Sequence, residues 1–513
     1  MKTIKRALST PLGIALATAF VMLFLFSPDS YTHDLFGHYD SAWFFTCGKA
    51  WMNGLVPYVD FADSKGPLLW LIYGVGYLFS PHSYIGVFWL SVLLYTGIFY
   101  YVYRTAHLFL YNHKQSAGTV MIMAGAYFCT WYHTEIRAED WCCMFIAMPL
   151  YYVCAMLFGP MRMTYLAVNK ACYALGIGLA GTLFIKFNMT IMLGTTALYI
   201  LYALIREKKN ILIAFLSLLA GFACITMPFV IYMFVAGNFS AFVQEYFFNT
   251  MQTVQSYNGI TTYIHEWLFL TYDPHYVVLF VIGTVGAYQL GRTVAHDRWF
   301  FLISFIGFYG IAIHHSSFLH WHYLCACMFF VIWACIALAK KASHKTFWVT
   351  TTIFVAYTLV SNVFSWAYVS HTWFFSNSKE KKNYYEAAYY ISQIENPTIM
   401  FYRTLDNSQG VPSGCLPATK YWAFQMGATA EMTKEQDEAI IKQKADFVVT
   451  SDNVQPIAVS DSLLSASGYH STYSYDLNEM TFYIYSKHTL QPLQKNFNVG
   501  SIDILLKRDI FNK

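Results

Sequence analysis

Few side chains in this chain can ionise, and before residue 371 those of most interest crowd into four short segments. In the first, Asp40 opens a run that continues through Trp51-x-x-Gly54-x-x-Pro57-Tyr58-x-Asp60-x-x-Asp63-x-Lys65-Gly66-Pro67-Leu68. A carboxylate and an ammonium stand two residues apart there, just ahead of an apolar helix that Pro67 begins. The second segment is His133-Thr134-Glu135-Ile136-Arg137-Ala138-Glu139-Asp140, and the third ends at Lys186. The fourth holds His314, His315, His320 and His322, with Tyr323 beside them. Groups of these kinds move protons or balance charge, and at a membrane edge they are costly unless paired or used. Each also has a plainer reading. Asp40 or Ser41 can cap a helix that stops at Asn53-Gly54. Lys65 can snorkel to the interface beside Pro67. Glu135 and Glu139, four apart, share one helix face, and Arg137 can tie that loop together as a salt bridge. The histidines invite a zinc reading, but no outer cysteine accompanies them, and the step from His315 to His320 suits a helix poorly.

The elements that must carry these groups are apolar. Of 513 residues, 57% are hydrophobic, 19% aromatic and only 12% charged, against about 25% charged in a soluble chain. That balance excludes a cytosolic enzyme and a disordered scaffold. A net charge of +4 leaves no large basic surface for nucleic acid. All the cysteines but Cys47 and Cys415 fall in apolar runs, where a thiol acts as a small hydrophobe, so neither a disulfide framework nor a zinc ribbon is expected. Eleven stretches read as bilayer-spanning helices: 10–27, 84–103, 117–132, 141–158, 171–185, 189–205, 211–236, 274–291, 299–313, 324–339 and 346–370. The first follows Lys2, Lys5 and Arg6 as a signal peptide would, but it is longer than a typical signal core and Pro28-Asp29 is a poor cleavage site, so a retained anchor is expected.

Charge orients the bundle. With the N-terminus in the cytoplasm, fifteen basic residues lie in inner segments, including Arg104, Arg162, Arg206, Arg292, Arg298 and Lys340. Before the tail, only Lys49, Lys65, Arg137 and Lys186 lie outside, which obeys the positive-inside rule. The acidic residues lean the other way. Before residue 371 only Glu207 and Asp297 are inner, while Asp40, Asp60, Asp63, Glu135, Glu139, Asp140, Glu245 and others face out. Carboxylates contribute little to insertion, so the chemistry is expected on the outer face. From about residue 371 the composition becomes that of a soluble protein, and eleven crossings put that tail outside. Its pattern reads helix (382–394), strand (397–402), helix (434–444), strand (446–450) and an aromatic strand (480–485). The expected architecture is thus an α-helical polytopic membrane protein over 1–370 with a small α/β extracytoplasmic domain over 371–513.

The first outer loop resembles that of bacterial GT-C glycosyltransferases, relatives of the protein O-mannosyltransferases and of the lipid A aminoarabinose transferases. In that family the loop ends in Lys-Pro-Pro-Leu or Asp-His-Lys-Gly-Pro-Leu; here Ser64 stands where the second form has His, and Lys65-Gly66-Pro67 is intact. The Glu135–Asp140 segment falls where the family has its second acidic motif. Gly181-Thr182-Leu183-Phe184-Ile185-Lys186 is similar to its glycine-rich helix ending in Lys, and His320-Trp321-His322-Tyr323 to a late His-Tyr motif. The likeness spans roughly residues 10–340, and the tail carries no such signature.

The resemblance implies a reaction. Members take a sugar from a polyprenyl-phosphate and pass it, usually with inversion, to an acceptor on the outer side. A cation must then neutralise the departing phosphate, and a carboxylate must take the acceptor's proton. By position Asp40 is the expected base, with Glu139 or Asp140 as the second acidic group. Lys65 is the expected phosphate ligand, with Lys186 and His322 behind it, and Asp63, Glu135, Arg137 and Tyr323 in support. Two carboxylates and a phosphate are compatible with a divalent cation, which this resemblance does not require. The acceptor is expected to be a cell-envelope glycan, lipid or protein, and the location a bacterial plasma (inner) membrane. The alternatives are a lipid-linked oligosaccharide polymerase or ligase, which would rely on outer arginines where only Arg137 exists, and a lipid-sugar transporter, which would place charges within its helices.

Overall fold

The computed structural model describes residues 9–27, 29–30, 39–128, 136–251, 274–305, 307, 327–363, 379–404, 408–423, 429–452, 457–477 and 480–493. Its helices run α1 Pro11–Phe26, α2 Tyr39–Met52, α3 Pro67–Phe79, α4 Ile85–Leu110, α5 His113–Phe128, α6 Ala138–Phe158, α7 Tyr165–Ile185, α8 Ile191–Arg206, α9 Ile211–Val235, α10 Pro274–Gly291, α11 Cys327–Lys341 and α12 His344–Val363. Local chemistry sets several starts. The Thr10, Thr164 and Asn210 side chains accept from the third amide of α1, α7 and α9. Pro11 and Pro67 open α1 and α3, where a missing N–H costs nothing.

Among the described residues, helices overlie the stretches expected to span, with 117–132, 299–313, 324–339 and 346–370 described only in part. Among the described residues, five are long and apolar enough to cross a membrane: α4, α6, α7, α9, and the run from Phe187 through α8. The outer surface of α9 shows what surrounds them. Leu212, Phe215, Leu216, Ile231 and Phe234 all lie exposed along it, a contiguous apolar band far larger than a water-facing surface carries. The chain is a multi-pass membrane protein.

Helix α2 belongs to no span; it packs on α3 through backbone. A Cβ on Gly48 would lie 2.4 Å from the Gly74 amide nitrogen, so only glycine allows the approach. The helix also starts at Tyr39, so Asp40 sits in its first turn rather than at the cap. A carboxylate there still favours the positive end of the helix dipole.

Beyond α12 the chain forms α13 Lys379–Ile391, β1 Thr398–Phe401, β2 Leu416–Pro417, α14 Ala430–Ile441, β3 Phe447–Ser451, α15 Ile457–Ala466, β4 His470–Leu477 and β5 Met480–Ser486. The strands pair in the order β2-β1-β3-β5-β4. β1 is parallel to β2 and β3, while β5 is antiparallel to β3 and β4. Alternation gives the sheet two apolar faces. Met400, Val448 and Tyr485 face a small core with Ile440 of α14 and Leu464 of α15. Ile399, Phe401, Phe447, Val449 and Ile484 instead join the core cluster that runs through the membrane helices.

Candidate functional site

The loop between α2 and α3 is built to present Lys65. Val56 donates its amide to Asp60 Oδ2 at 2.7 Å, and Tyr58 donates its own to the Phe61 carbonyl at 2.7 Å. This turn forces Tyr58 to φ 65°, left-handed backbone that disfavours any side chain but glycine's none. Contacts hold it there. Its buried ring meets Trp70 at 4.7 Å, and its hydroxyl donates to the Lys65 carbonyl at 3.0 Å. Asn238 donates to the Pro57 carbonyl at 2.8 Å. The Pro-Tyr-x-Asp motif is therefore a turn that fixes the backbone of Lys65, and Asp60 is spent within it.

Gly66 fixes the other side. Its amide donates to the Ile185 carbonyl at 2.9 Å, at the end of α7. A Cβ on Gly66 would lie 2.0 Å from the Phe184 carbonyl oxygen. The loop and the end of α7 thus meet backbone to backbone, and the neighbours of the bonded pair, Lys65 and Lys186, flank the contact.

Around Lys65 the polar groups form a chain. Its Nζ donates to Ser64 Oγ at 3.1 Å, lies 4.0 Å from Asp63 Oδ1 and stands 5.7 Å from the centre of the Phe44 ring. Ser64 in turn donates through its hydroxyl to Asp63 Oδ1 at 3.2 Å. Asp63 is buried, and its Oδ2 has no hydrogen-bond partner among the described residues. Burial pushes its carboxyl above the usual range; Lys65 opposes that and the charge of Asp40 adds to it. Asp40 is the more accessible of the two carboxylates, half-buried where Asp63 is buried.

The second acidic segment arrives beside α2. The Ile136 carbonyl accepts from the Ser41 hydroxyl at 3.3 Å and from the Tyr73 hydroxyl at 2.9 Å. From there α6 begins. Asp140 Oδ2 accepts the Arg137 amide at 2.6 Å, a helix cap, and Oδ1 accepts the Tyr95 hydroxyl at 3.1 Å. Glu139, almost fully buried, pairs with Lys186 at the end of α7. The structure thus brings Asp40, Asp63, Lys65, Arg137, Glu139, Asp140 and Lys186 to one end of the helices, with Glu139 and Lys186 engaged with each other. Glu135, His322 and Tyr323, and with them His314, His315 and His320, lie outside the described residues. Among the described residues no group of three or more His, Cys, Asp or Glu side chains converges as a metal cage.

The tail forms part of these surroundings, which the sequence reading missed. Trp422 packs on Trp43 at 5.4 Å, and the Ala62 amide donates to the Lys420 carbonyl at 3.0 Å. Lys49, with 1% of its surface exposed, donates to the Gly410 carbonyl at 2.9 Å. Glu245, in the π-helical turn Val243–Asn249, takes Lys420 and the Tyr421 hydroxyl on one oxygen and Asn249 on the other. No signal in the sequence pairs residues 175 positions apart.

The chain's fold resembles that of the GT-C glycosyltransferases. It is similar to the crystal structure of ArnT from Cupriavidus metallidurans bound to undecaprenyl phosphate, with a TM-score of 0.61 and 11% identity over 93% of this chain and 97% of that one. The apo structure of the same ArnT gives a TM-score of 0.56 and 12% identity over the same shares. No protein-family model matches the chain, and no curated protein sequence does.

Proposed function

We propose that this chain is an inverting glycosyltransferase that moves a sugar from a polyprenyl-phosphate donor to a cell-envelope glycan, lipid or protein at the outer face of the plasma membrane. The observation that carries the reading is the Asp40–Asp63–Lys65 cluster, seated by Gly66 against the end of α7 that bears Lys186. The shared fold supports it, since ArnT binds an undecaprenyl phosphate. In this reading the acceptor hydroxyl attacks the anomeric carbon while Asp40 takes its proton. The bond from that carbon to the phosphate oxygen breaks, and the phosphate leaves as an anion beside Lys65. Asp63 and Ser64 position Lys65, and Glu139 holds Lys186 for the same anion. His322, Glu135, Arg137 and Tyr323 stay in support. Asp140, with donors already on both oxygens, is the least available base of the set. The topology that goes with this is eleven spans, a cytoplasmic N-terminus, and an α/β domain over 371–513 on the outer side.

Asp40→Asn tests the base. Asn keeps the side-chain shape and gives up only the charge–dipole interaction of the first turn, about 0.3–1 kcal/mol, so the fold should survive. Turnover with a labelled polyprenyl-phosphate sugar should fall by roughly 10²–10⁴, while donor binding by calorimetry persists. Undiminished turnover would move the base elsewhere, with Glu139 the next candidate.

A further inference from the structure

The opposite end of the bundle holds a second concentration of charge. A cavity of about 910 Å³ opens there between the turn that joins α6 to α7, the end of α8 and the segment following α10. Helices α6 and α7 have 21 residues each, which at about 1.5 Å per residue separates it by roughly 30 Å from Glu139 and Lys186. Its carboxylates are Glu207 and Asp297, and its guanidiniums are those of Arg162, Arg206, Arg292 and Arg298. Arg162 reaches Glu207 at 2.9 Å and Asp297 at 3.3 Å; Arg206 reaches them at 3.1 and 2.8 Å. Asp297, with a fully buried side chain, also accepts from the Tyr199 hydroxyl at 3.1 Å. Both carboxylates are thus consumed by one pair of arginines.

Arg292 and Arg298 have no carboxylate partner among the described residues. Each lies over a ring, Arg292 at 6.0 Å from Tyr288 and Arg298 at 5.3 Å from Trp299. Arg162 keeps a buried Nε with no acceptor among the described residues. Thr195 and His296 also line the wall, and its apolar side is open sideways: Leu198 is 68%, Tyr202 53% and Trp299 52% exposed. That surface faces lipid, and Tyr and Trp favour the headgroup level.

We propose that this cavity binds a phosphate-bearing anion, brought by an anionic phospholipid whose chains lie along Leu198 and Trp299. Guanidinium forks suit phosphate oxygens, and basic pockets between membrane helices take anionic headgroups. A zwitterionic headgroup brings a cation that the two unneutralised arginines repel. Nothing in this depends on sugar transfer at the far end.

Native mass spectrometry of the full chain, with equimolar dioleoyl-phosphatidylglycerol and dioleoyl-phosphatidylcholine, tests it. The wild type should prefer phosphatidylglycerol by about thirtyfold, the scale of two basic residues near a headgroup. Arg292→Gln with Arg298→Gln should remove the preference, and Arg292→Lys with Arg298→Lys should keep most of it. A lipid displaced by millimolar glycerol phosphate would retain the phosphate site and assign it to a soluble ligand. Equal binding of the two lipids by the wild type, with no binding of glycerol phosphate, overturns the site, and so does a preference that survives in the folded glutamine variant.

Discussion

Gly66→Ala adds one methyl group at the contact that seats Lys65. The backbone itself tolerates alanine, because Gly66 has φ −83° and ψ 158°. The clash is external. A Cβ there stands 2.0 Å from the Phe184 carbonyl oxygen and 3.0 Å from the Ile185 nitrogen. Ordinary contact needs roughly 3.5 Å between such atoms, so loop and helix end must part by more than 1 Å. Such overpacking costs typically 1–3 kcal/mol, which a bundle of this size survives. The separation also breaks the Gly66–Ile185 hydrogen bond and carries Lys65 away from Lys186. A misplacement of about 1 Å at a reacting centre can cost on the order of 10² in rate. Turnover and donor affinity of Gly66→Ala, measured beside its melting temperature, should show a folded protein with turnover down by roughly that factor. A folded variant with activity within threefold of wild type would show that the seat does not govern the site.

Lys65→Ala should leave melting nearly unchanged while transfer falls by roughly 10² or more, the loss expected for one charge-stabilising donor; near-normal turnover would reduce Lys65 to an interfacial anchor. Lys49 gives a pH signature. Burial pulls its ammonium down from 10.5 to about 8, with Cys415 acting weakly the other way. Between those values the unfolded chain holds a proton that the folded chain has shed, so folding gains stability as pH rises, by roughly 3 kcal/mol across the window. Melts of wild type against Lys49→Met from pH 7 to 10.5 should therefore diverge in favour of the wild type, and a constant difference would contradict the burial. Phosphatase fused after residue 380 should be active and fused near Arg206 inactive; the reverse would invert the topology and place the cluster in the cytoplasm.

The spanning helices were legible because lipid asks for long apolar runs with few charges, and α4, α6, α7 and α9 supply them. The loop was legible as a motif, and its internal logic was not. Asp60 stands in the motif among the outer carboxylates, and the sequence does not tell that its carboxylate closes a turn. Asp140 reads as a second acid, yet it caps α6, a role hidden because the partner is a backbone amide and the cap residue is Arg137. In the tail, the strand around Phe447 stood out by its buried aliphatic run. β4 did not, since His470-Ser471-Thr472-Tyr473-Ser474-Tyr475 alternates tyrosine with small polar residues, and its pairing with β5 supplies the reason for strand that the residues alone do not.

What the sequence separates, the packing rejoins. Composition changes near residue 371, which suggests a membrane part and a soluble part that fold apart. Lys49 argues otherwise. A lysine in the last turn of a 14-residue helix at the membrane surface should reach water, and here its ammonium is buried against the Gly410 carbonyl. Burying that group is unfavourable, as its lowered pKa records, so the surrounding contacts must outweigh the cost. They do so on both sides of α2: backbone packing on α3 through Gly48 and Gly74, and Trp43 against Trp422 from the tail. An isolated helix of this length is marginal in water. The first turn of α2 carries Asp40, and the loop beyond it carries Asp63 and Lys65, with Ala62 bonded to Lys420. The placement of the candidate site is therefore set jointly by the membrane helices and by the sheet-bearing tail.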